Sequence, residues 1–119
     1  MESEVIKLKA QERPKVLEGK THKEDTGCGH IYITVNTLDG EVFEVFAEMG
    51  KSGGCVNSFN EALARTISIG LRAGVDLREY WHTLQNIGCH APTWSEGDKV
   101  NSCPDAIAKV LKLYLKEEK

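Results

Sequence analysis

The glycine-rich segment Gly50–Cys55 divides the chain into two parts with different periodicity. Before this segment, apolar and polar residues alternate, as they do along a half-buried β-strand. After it, apolar residues recur every three or four positions, as they do along one face of an α-helix. A chain with strands first and helices afterwards is predicted to form an α+β domain, in which helices pack against an antiparallel sheet.

The strands are clearest on either side of Asp39-Gly40, a pair favoured in tight hairpin turns. Residues 30–36 alternate, and residues 41–47 alternate in the same way. The faces predicted to point inward carry mainly β-branched and aromatic residues, namely Ile31, Ile33, Val35, Phe43, Val45 and Ala47. We therefore predict a small antiparallel sheet built on this β-hairpin, and residues 16–21 are a candidate short edge strand.

Three helices are predicted after the glycine-rich segment, at about 58–73, 76–87 and 103–116. Ser58 and Asp76 each stand three residues before a glutamate, which is the spacing of a capping box. Pro104 lies in the first turn of the third helix, where its missing N–H costs nothing. The stripe predicted to face inward on the first helix is Phe59, Ala62, Leu63, Thr66, Ile67 and Leu71. We expect the three helices to pack on one face of the sheet, with residues 90–101 as a polar loop.

The chain's size and charge limit its function. Its 119 residues fit a single domain, 1–119, with residues 1–12 as a loose N-terminal arm. The net charge of −3 argues against a nucleic-acid binder, which usually shows a basic face. No apolar run reaches the roughly 18 residues that a membrane helix needs, and the first residues lack a secretory signal. We therefore expect a cytoplasmic protein that binds neither membrane nor nucleic acid.

Four cysteines stand at element ends, each beside a turn or cap residue: Cys28, Cys55, Cys89 and Cys103. A cysteine that serves only as a small hydrophobe belongs in an apolar periodic run, and none of these does. In a reducing compartment such cysteines favour metal or redox chemistry over structural disulfides. Four thiolates around one ion make a closed tetrahedral zinc site, which would also stabilise a domain with a thin core. We predict that the four cysteines form one structural zinc site.

Two other interpretations of the cysteines stay open, because the chain has no C-x-x-C pair. Two of the thiols could form a redox pair, or all four could be unrelated structural residues. Cys103 is predicted at a helix N-terminus, where backbone amides stabilise a thiolate, so it suits a metal ligand and a nucleophile equally. His30 and His90 each lie near a cysteine and could replace one ligand, but we interpret both as surface histidines.

The segment Gly50-Lys51-Ser52 resembles the end of a phosphate-binding P-loop. The full motif requires a glycine where this chain has Val45, so the match fails. A simpler anion or nucleotide site at the helix N-terminus remains a hypothesis, and its residues would be Lys51, Ser52, Gly53 and Gly54. No catalytic triad, carboxylate pair or dinucleotide fingerprint is present in the sequence, so no catalytic residue is predicted.

The segment Asn101-Ser102-Cys103-Pro104-Asp105 resembles the motif that names the TSCPD domain, with asparagine in place of the first threonine. Asparagine is also a good capping residue. Other segments resemble the same family, among them Gly27-Cys28-Gly29, Gly50–Cys55 and Ile87-Gly88-Cys89. The similarity runs in order from about Arg13 to Leu115. This family forms the C-terminal domain of adenosylcobalamin-dependent (class II) ribonucleotide reductases and also occurs as short stand-alone proteins.

The resemblance implies an accessory or regulatory module that contacts a partner in deoxyribonucleotide synthesis, such as a reductase catalytic chain. It also implies that the four cysteines are the family's metal or thiol site. The radical cysteine, the nucleotide-binding barrel and the cobalamin site of the reductases belong to a much longer catalytic body. We therefore expect no cobalamin on this chain alone and no catalysis without a partner, and we leave homo-oligomer formation open. The alternative functions are delivery of reducing equivalents to a reductase and binding of a phosphate or nucleotide.

Overall fold

The computed structural model describes residues 6–50, 54–89, 91–95 and 97–116. It is an α+β fold with three helices and a three-stranded antiparallel sheet, as predicted. The elements in chain order are β1 (Glu18–Thr26), β2 (Gly29–Leu38), β3 (Glu41–Met49), α1 (Gly54–Arg72), α2 (Leu77–Leu84), β4 (Thr93–Ser95), β5 (Asp98–Val100) and α3 (Cys103–Lys112). None of the helices in the described ranges combines the length and hydrophobicity needed to cross a lipid bilayer.

The sheet has the strand order β1-β2-β3 and contains the predicted hairpin. Asp39 and Gly40 form its turn, and both have positive φ, 53° and 82°. The third strand, β1, extends from Glu18 to Thr26 and is longer than the short edge strand that the sequence indicated. Thr26 pairs with Gly29 at the start of β2, so β1 and β2 are joined by the tight turn that carries Cys28.

The core lies on one face of the sheet and is covered by α3. The buried apolar residues of the three-stranded sheet are those predicted from the alternation, together with Met49, and all of them except Phe43 pack in this core. Helix α3 is buried along most of its length through Ala106, Ile107, Ala108, Val110 and Leu111. Helix α2 packs against α3, and β4 lies near β1. The hairpin formed by β4 and β5 occupies part of the segment for which the sequence predicted only a loop.

Helix α1 packs beside β3, which is an edge strand of the sheet. The Ser68 hydroxyl accepts a hydrogen bond from the Val45 amide at 2.9 Å and lies 2.9 Å from the Val45 carbonyl. The Asn57 side-chain oxygen accepts from the Met49 amide at 3.0 Å. Polar side chains of α1 therefore satisfy backbone groups that an edge strand would otherwise leave without partners.

Helix α1 differs from the sequence prediction in its start and in its buried face. It begins at Gly54, so Ser58 lies inside the helix, exposed, and is not its N-cap. The buried residues of α1 are Asn60, Ala64, Ile67 and Ser68, whereas Phe59 is 76% exposed. The prediction counted only apolar residues as buried, but the face that packs beside β3 includes polar residues such as Ser68, which bonds to the strand backbone.

The other two helices are shorter than predicted. Helix α2 begins as expected, because the Asp76 carboxylate accepts from the Arg78 amide at 2.9 Å and caps the helix. It ends at Leu84, and the following turn places Asn86 in the left-handed region, with φ 61°. Ile87 follows this turn, outside the helix predicted to run to residue 87, and is exposed. Helix α3 ends at Lys112.

The N-terminal segment is attached to the sheet through Glu44. This carboxylate is only 2% exposed, and it accepts from Arg13 Nε at 2.8 Å and from Asn36 Nδ2 at 2.6 Å. Burial alone would raise the pKa of Glu44, but these hydrogen bonds and the charges of Arg13 and Arg72 together lower the pKa below its usual value. The Gln11 amide also donates to the Arg72 carbonyl at 3.0 Å. Gln11 and Arg13 therefore contact α1 and β3, and the loose arm expected over residues 1–12 stays a prediction.

Candidate thiol site

Three segments that are distant in sequence meet at the end of β1 that carries Thr26. They are the β1–β2 turn with Cys28, the loop with Cys89, and the N-terminus of α3 with Cys103. Thr26 is buried, and its hydroxyl accepts from the Cys28 amide at 3.2 Å and from the Cys103 thiol at 3.8 Å. The same hydroxyl donates to the Gly29 carbonyl at 2.7 Å. Thr26 thus connects two of the predicted site residues.

The loop that carries Cys89 packs closely against the β1–β2 turn at Gly27. A Cβ atom placed on Gly27 would lie 1.6 Å from the carbonyl oxygen of Ala91, so only glycine permits this approach. The Cys89 amide donates to the Asn101 carbonyl at 3.1 Å. These two contacts fix the loop that carries Cys89 relative to the β1–β2 turn and to the residues just before α3.

The sulfur of Cys89 accepts a hydrogen bond from the Ala91 amide at 3.4 Å. The Cys89 side chain is also exposed, so an ion or reagent can reach it. This residue is arranged as a ligand or a reactive group would be.

The Cys28 thiol is half-buried and interacts with both other cysteines of this region. Burial raises the pKa of Cys28, and the negative charges that Cys103 and Cys89 would carry raise it further, as does a hydrogen bond with Cys103. Cys89 and Cys103 are therefore close enough to Cys28 to influence its ionisation. Cys28 keeps its proton unless a nearby positive charge offsets these effects.

Cys55 stands apart from the other three cysteines. It lies in the first turn of α1 and is exposed, and within the described ranges no contact joins it to another thiol. It is nevertheless at the same end of the sheet as Cys28, because Met49 at the end of β3 pairs with Ile31 near the start of β2. None of the four cysteines forms a disulfide.

The remaining candidate residues are placed as follows. His30 is exposed, and its Nδ1 lies 2.5 Å from an Asp25 carboxylate oxygen, which agrees with the interpretation of a surface histidine. His90 and the predicted anion-site residues Lys51, Ser52 and Gly53 lie outside the described residues. Gly54, the last residue of that prediction, is the exposed first residue of α1.

A family model described as the TSCPD domain matches residues 5–115. The chain belongs to the TSCPD domain family. The matched range includes all four cysteines and nearly the whole described structure. The resemblance drawn from the sequence is therefore confirmed, and it extends further toward the N-terminus than the motifs indicated.

Two curated relatives of this TSCPD domain are described as vitamin B12-dependent ribonucleotide reductases. The protein from Bradyrhizobium diazoefficiens is 31% identical over 77 residues, which are 64% of this chain. The protein from Agrobacterium fabrum is 34% identical over 76 residues, or 63% of this chain. In both cases the match covers only 6% of the relative's length. No solved structure matches the chain significantly.

The residues of the family motif build the N-terminus of α3. Ser102 is the N-cap, and its hydroxyl accepts from the Asp105 amide at 3.1 Å and donates to the Ile87 carbonyl at 2.5 Å. Pro104 occupies the first turn, as predicted. In this TSCPD domain the cap residue therefore also holds the chain two residues before Cys89.

Asp105 has a positioning role that the sequence analysis missed. Its carboxylate is 1% exposed and accepts from the amides of Asn86 and Asn101 at 2.7 and 2.9 Å. Lys109 Nζ lies 3.9 Å away and balances part of the charge. Asp105 thereby ties the turn before Cys89 to the residues before Cys103. The signal for this role was its position three residues after the Ser102 cap, where a carboxylate is common in a helix first turn.

The side chains of Cys28, Cys89 and Cys103 fit a zinc ion in ligand type. Thiolate sulfur is a preferred ligand of zinc, and a bound cation would offset the charges that raise the pKa of Cys28. Within the described residues, which leave out His90, no group of three or more histidine, cysteine, aspartate or glutamate side chains is arranged to hold a metal ion.

Proposed function

We propose that this TSCPD domain is an accessory module of a ribonucleotide reductase system, that it is organised around a structural zinc ion, and that it acts by contact with a reductase catalytic chain. The single observation that supports the zinc site most is that the segments carrying Cys28, Cys89 and Cys103 meet around Thr26 and Gly27. The placement in deoxyribonucleotide synthesis is supported by the relatives named as vitamin B12-dependent reductases. The chain spans about 6% of their length, so the reaction itself belongs to the partner.

In this proposal Cys28, Cys89 and Cys103 supply three ligands and Cys55 supplies the fourth. Bound zinc would act as a structural crosslink and a positive charge, because four protein ligands leave no open position for substrate. The Ala91 amide would donate a hydrogen bond to the Cys89 sulfur and orient it toward the metal. Thr26 and Asp105 would hold the backbone segments of Cys28, Cys89 and Cys103 in register, which is the role of residues behind metal ligands.

Metal analysis of the purified protein tests the zinc site. We expect one zinc per chain, and we expect the Cys28→Ser, Cys89→Ser and Cys103→Ser variants to lose zinc and thermal stability together. The Cys55→Ser variant tests the fourth ligand, because it should weaken zinc binding while leaving the α3 end of the site intact. A protein that folds fully and binds no zinc when zinc is supplied would contradict the proposal.

Binding to a reductase catalytic chain tests the partner role separately. The purified domain is titrated into a vitamin B12-dependent reductase catalytic chain from which the corresponding domain has been removed. We expect saturable binding by calorimetry and co-elution of the two chains by gel filtration. Absence of binding would contradict the partner role even if zinc were present.

A thiol-redox function is the second candidate, and the proximity of Cys28 to Cys103, both of which bond to the Thr26 hydroxyl, favours it. In this scheme the two thiols lose two protons and two electrons and form one disulfide. A disulfide of the reductase accepts those electrons and protons and becomes two thiols.

Thiol counting before and after mild oxidation separates the two candidates. A redox pair predicts the reversible loss of two thiols, and the loss disappears in Cys28→Ser and Cys103→Ser. A zinc-bound set predicts slow reaction of the thiols until a chelator removes the metal. The Cys55→Ser variant is the control for non-specific oxidation of an exposed thiol.

A further inference from the structure

Helix α1 carries a second apolar stripe on the side that does not pack against β3. The stripe consists of Phe59, Ala62, Thr66 and Ile69, all four exposed. Phe59 and Ile69 are 76% and 56% exposed, and no described residue covers them. The spacing of three, four and three residues is that of the seam between two helices in a coiled coil. A helix with apolar residues on two opposite faces normally has a partner on each.

We propose that a second copy of this chain packs against this stripe, with the two α1 helices antiparallel about a two-fold axis near residue 64. Under that axis, Phe59 of one copy meets Ile69 of the other, and Ala62 meets Thr66. Two packed helices cross at an angle, so they approach most closely at the centre and diverge toward the ends. The stripe matches this shape, because its small residues lie at the centre and its large ones at the ends.

The charges beside the stripe also fit an antiparallel pair. Glu61 and Arg65 lie next to the stripe and form an ion pair within the helix at 3.4 Å, with both side chains largely exposed. Antiparallel packing brings Glu61 of one copy to about the level of Arg65 of the other. The four charges at the centre of the contact then cancel. A parallel pair would instead bring Glu61 to the level of the other Glu61, and Phe59 to the level of the other Phe59.

The expected dimer is weak. One pair of packed helices buries less surface than the roughly 1,200–2,000 Å² of stable protein–protein interfaces. We therefore expect a dissociation constant in the micromolar range and a folded monomer at low concentration. The association does not depend on the zinc site.

Sedimentation equilibrium from about 5 to 500 μM under reducing conditions tests the proposal, since this range brackets a micromolar constant. We expect a reversible monomer–dimer equilibrium in the unmodified chain. Phe59→Lys and Ile69→Glu should each weaken it at least tenfold, because each places a charge in the contact. The double variant carrying both changes should regain dimer, because the introduced lysine of each copy faces the introduced glutamate of the other.

Leu113→Lys is the matched control. Leu113 is also apolar and 68% exposed, but it follows α3 and is distant in sequence from the stripe. This variant should dimerise as the unmodified chain does, and circular dichroism should show that all variants keep their helices.

The proposal is overturned by a monomer throughout the concentration range, by a dimer that persists in both single variants, or by a dimer that Leu113→Lys abolishes. If the double variant stays monomeric while a mixture of Phe59→Lys and Phe59→Glu chains dimerises, the antiparallel arrangement is wrong. If the stripe variants lose binding to a reductase chain while the unmodified domain is monomeric, the partner of the stripe is the reductase and not a second copy.

Discussion

The Thr26 hydroxyl lies 3.8 Å from the Cys103 sulfur and joins the last residue of β1 to the first residue of α3. Both side chains are buried, and the same hydroxyl also accepts from the Cys28 amide. A single hydroxyl thus connects the turn that carries one cysteine with the helix that begins at another. The candidate thiol site depends on this connection more than on any one sulfur.

Thr26→Val replaces this hydroxyl with a methyl group of similar size. We expect the free energy of unfolding to fall by about 1–3 kcal/mol, because the partly buried Cys28 amide and Gly29 carbonyl lose their hydrogen-bond partner. Denaturation by urea measures the change. Thr21→Val on the same strand is the control, because Thr21 is exposed and its hydroxyl bonds only to Thr34. Equal losses in the two variants would contradict the role assigned to Thr26.

Gly27→Ala tests the close approach of the β1–β2 turn and the Cys89 loop. Its methyl group would collide with the Ala91 carbonyl oxygen, so one of the two segments must move. We expect the melting temperature to fall and the exposed Cys89 thiol to react with a maleimide at a changed rate. Gly88→Ala adds a methyl group to the same loop in open space and should leave both measurements nearly unchanged. If Gly27→Ala were equally harmless, the two segments would not be packed as described.

A pair of serine variants tests which residues cap the helices. Ser102→Ala removes the N-cap of α3 and should cost about 1–2 kcal/mol of folding free energy. Ser58→Ala should change the free energy of unfolding by less than about 0.5 kcal/mol, because Ser58 is an exposed residue inside α1. Chemical denaturation of the two variants gives the comparison. A large loss in Ser58→Ala would instead support the capping box predicted from the sequence.

The buried environment of Glu44 predicts how the stability of the folded protein depends on pH. Its pKa is lowered in the folded protein, so its contribution to stability is present above the unfolded pKa of about 4.3 and is lost as the pH falls through the folded value. We expect Glu44→Gln to lose about 1–3 kcal/mol at pH 7. Below the folded pKa of Glu44, where the native carboxyl is also neutral, the difference from the unmodified chain should shrink. Melting temperatures between pH 7 and pH 3 measure this.

Glu48→Gln is the control for the acid prediction, because Glu48 lies on the same strand but is exposed. The melting temperature of Glu48→Gln should equal that of the unmodified chain at every pH. If Glu44→Gln and Glu48→Gln behaved alike, the buried hydrogen bonds of Glu44 would not be responsible for the pH dependence.

The sheet hairpin and the fold class could be predicted because their signals are local. The alternation in β2 and β3 and the Asp39-Gly40 turn depend only on neighbouring residues. Most of β1 escaped prediction because its sequence is polar throughout. Its residues are mostly exposed, and antiparallel pairing with β2 holds it in the sheet. Period-two patterning cannot identify a strand that has almost no buried face.

The candidate site was predicted in part, because sulfur positions depend on contacts between distant segments. Turn and cap residues indicated correctly that Cys28 lies in a turn between two strands and that Cys103 begins a helix, whereas Cys89 lies in the loop after α2 and not at the end of that helix. Their approach to one another depends on Thr26 and Asp105, which are ordinary polar residues in the sequence. Cys55 looked equivalent to the other three, but α1 extends back to Gly54 and includes this cysteine in its first turn. Its place in the zinc site remains a prediction.

The hydrogen bonds from Ser68 and Asn57 to β3 have a consequence for how the chain behaves when concentrated. Strand edges with open amides and carbonyls recruit strands from other molecules and start fibrils. Here two side chains of α1 occupy the amides of Val45 and Met49, and the Ser68 hydroxyl also lies against the Val45 carbonyl. Loss of the Ser68 hydroxyl would therefore do more than weaken one helix contact, since it would leave β3 open to aggregation.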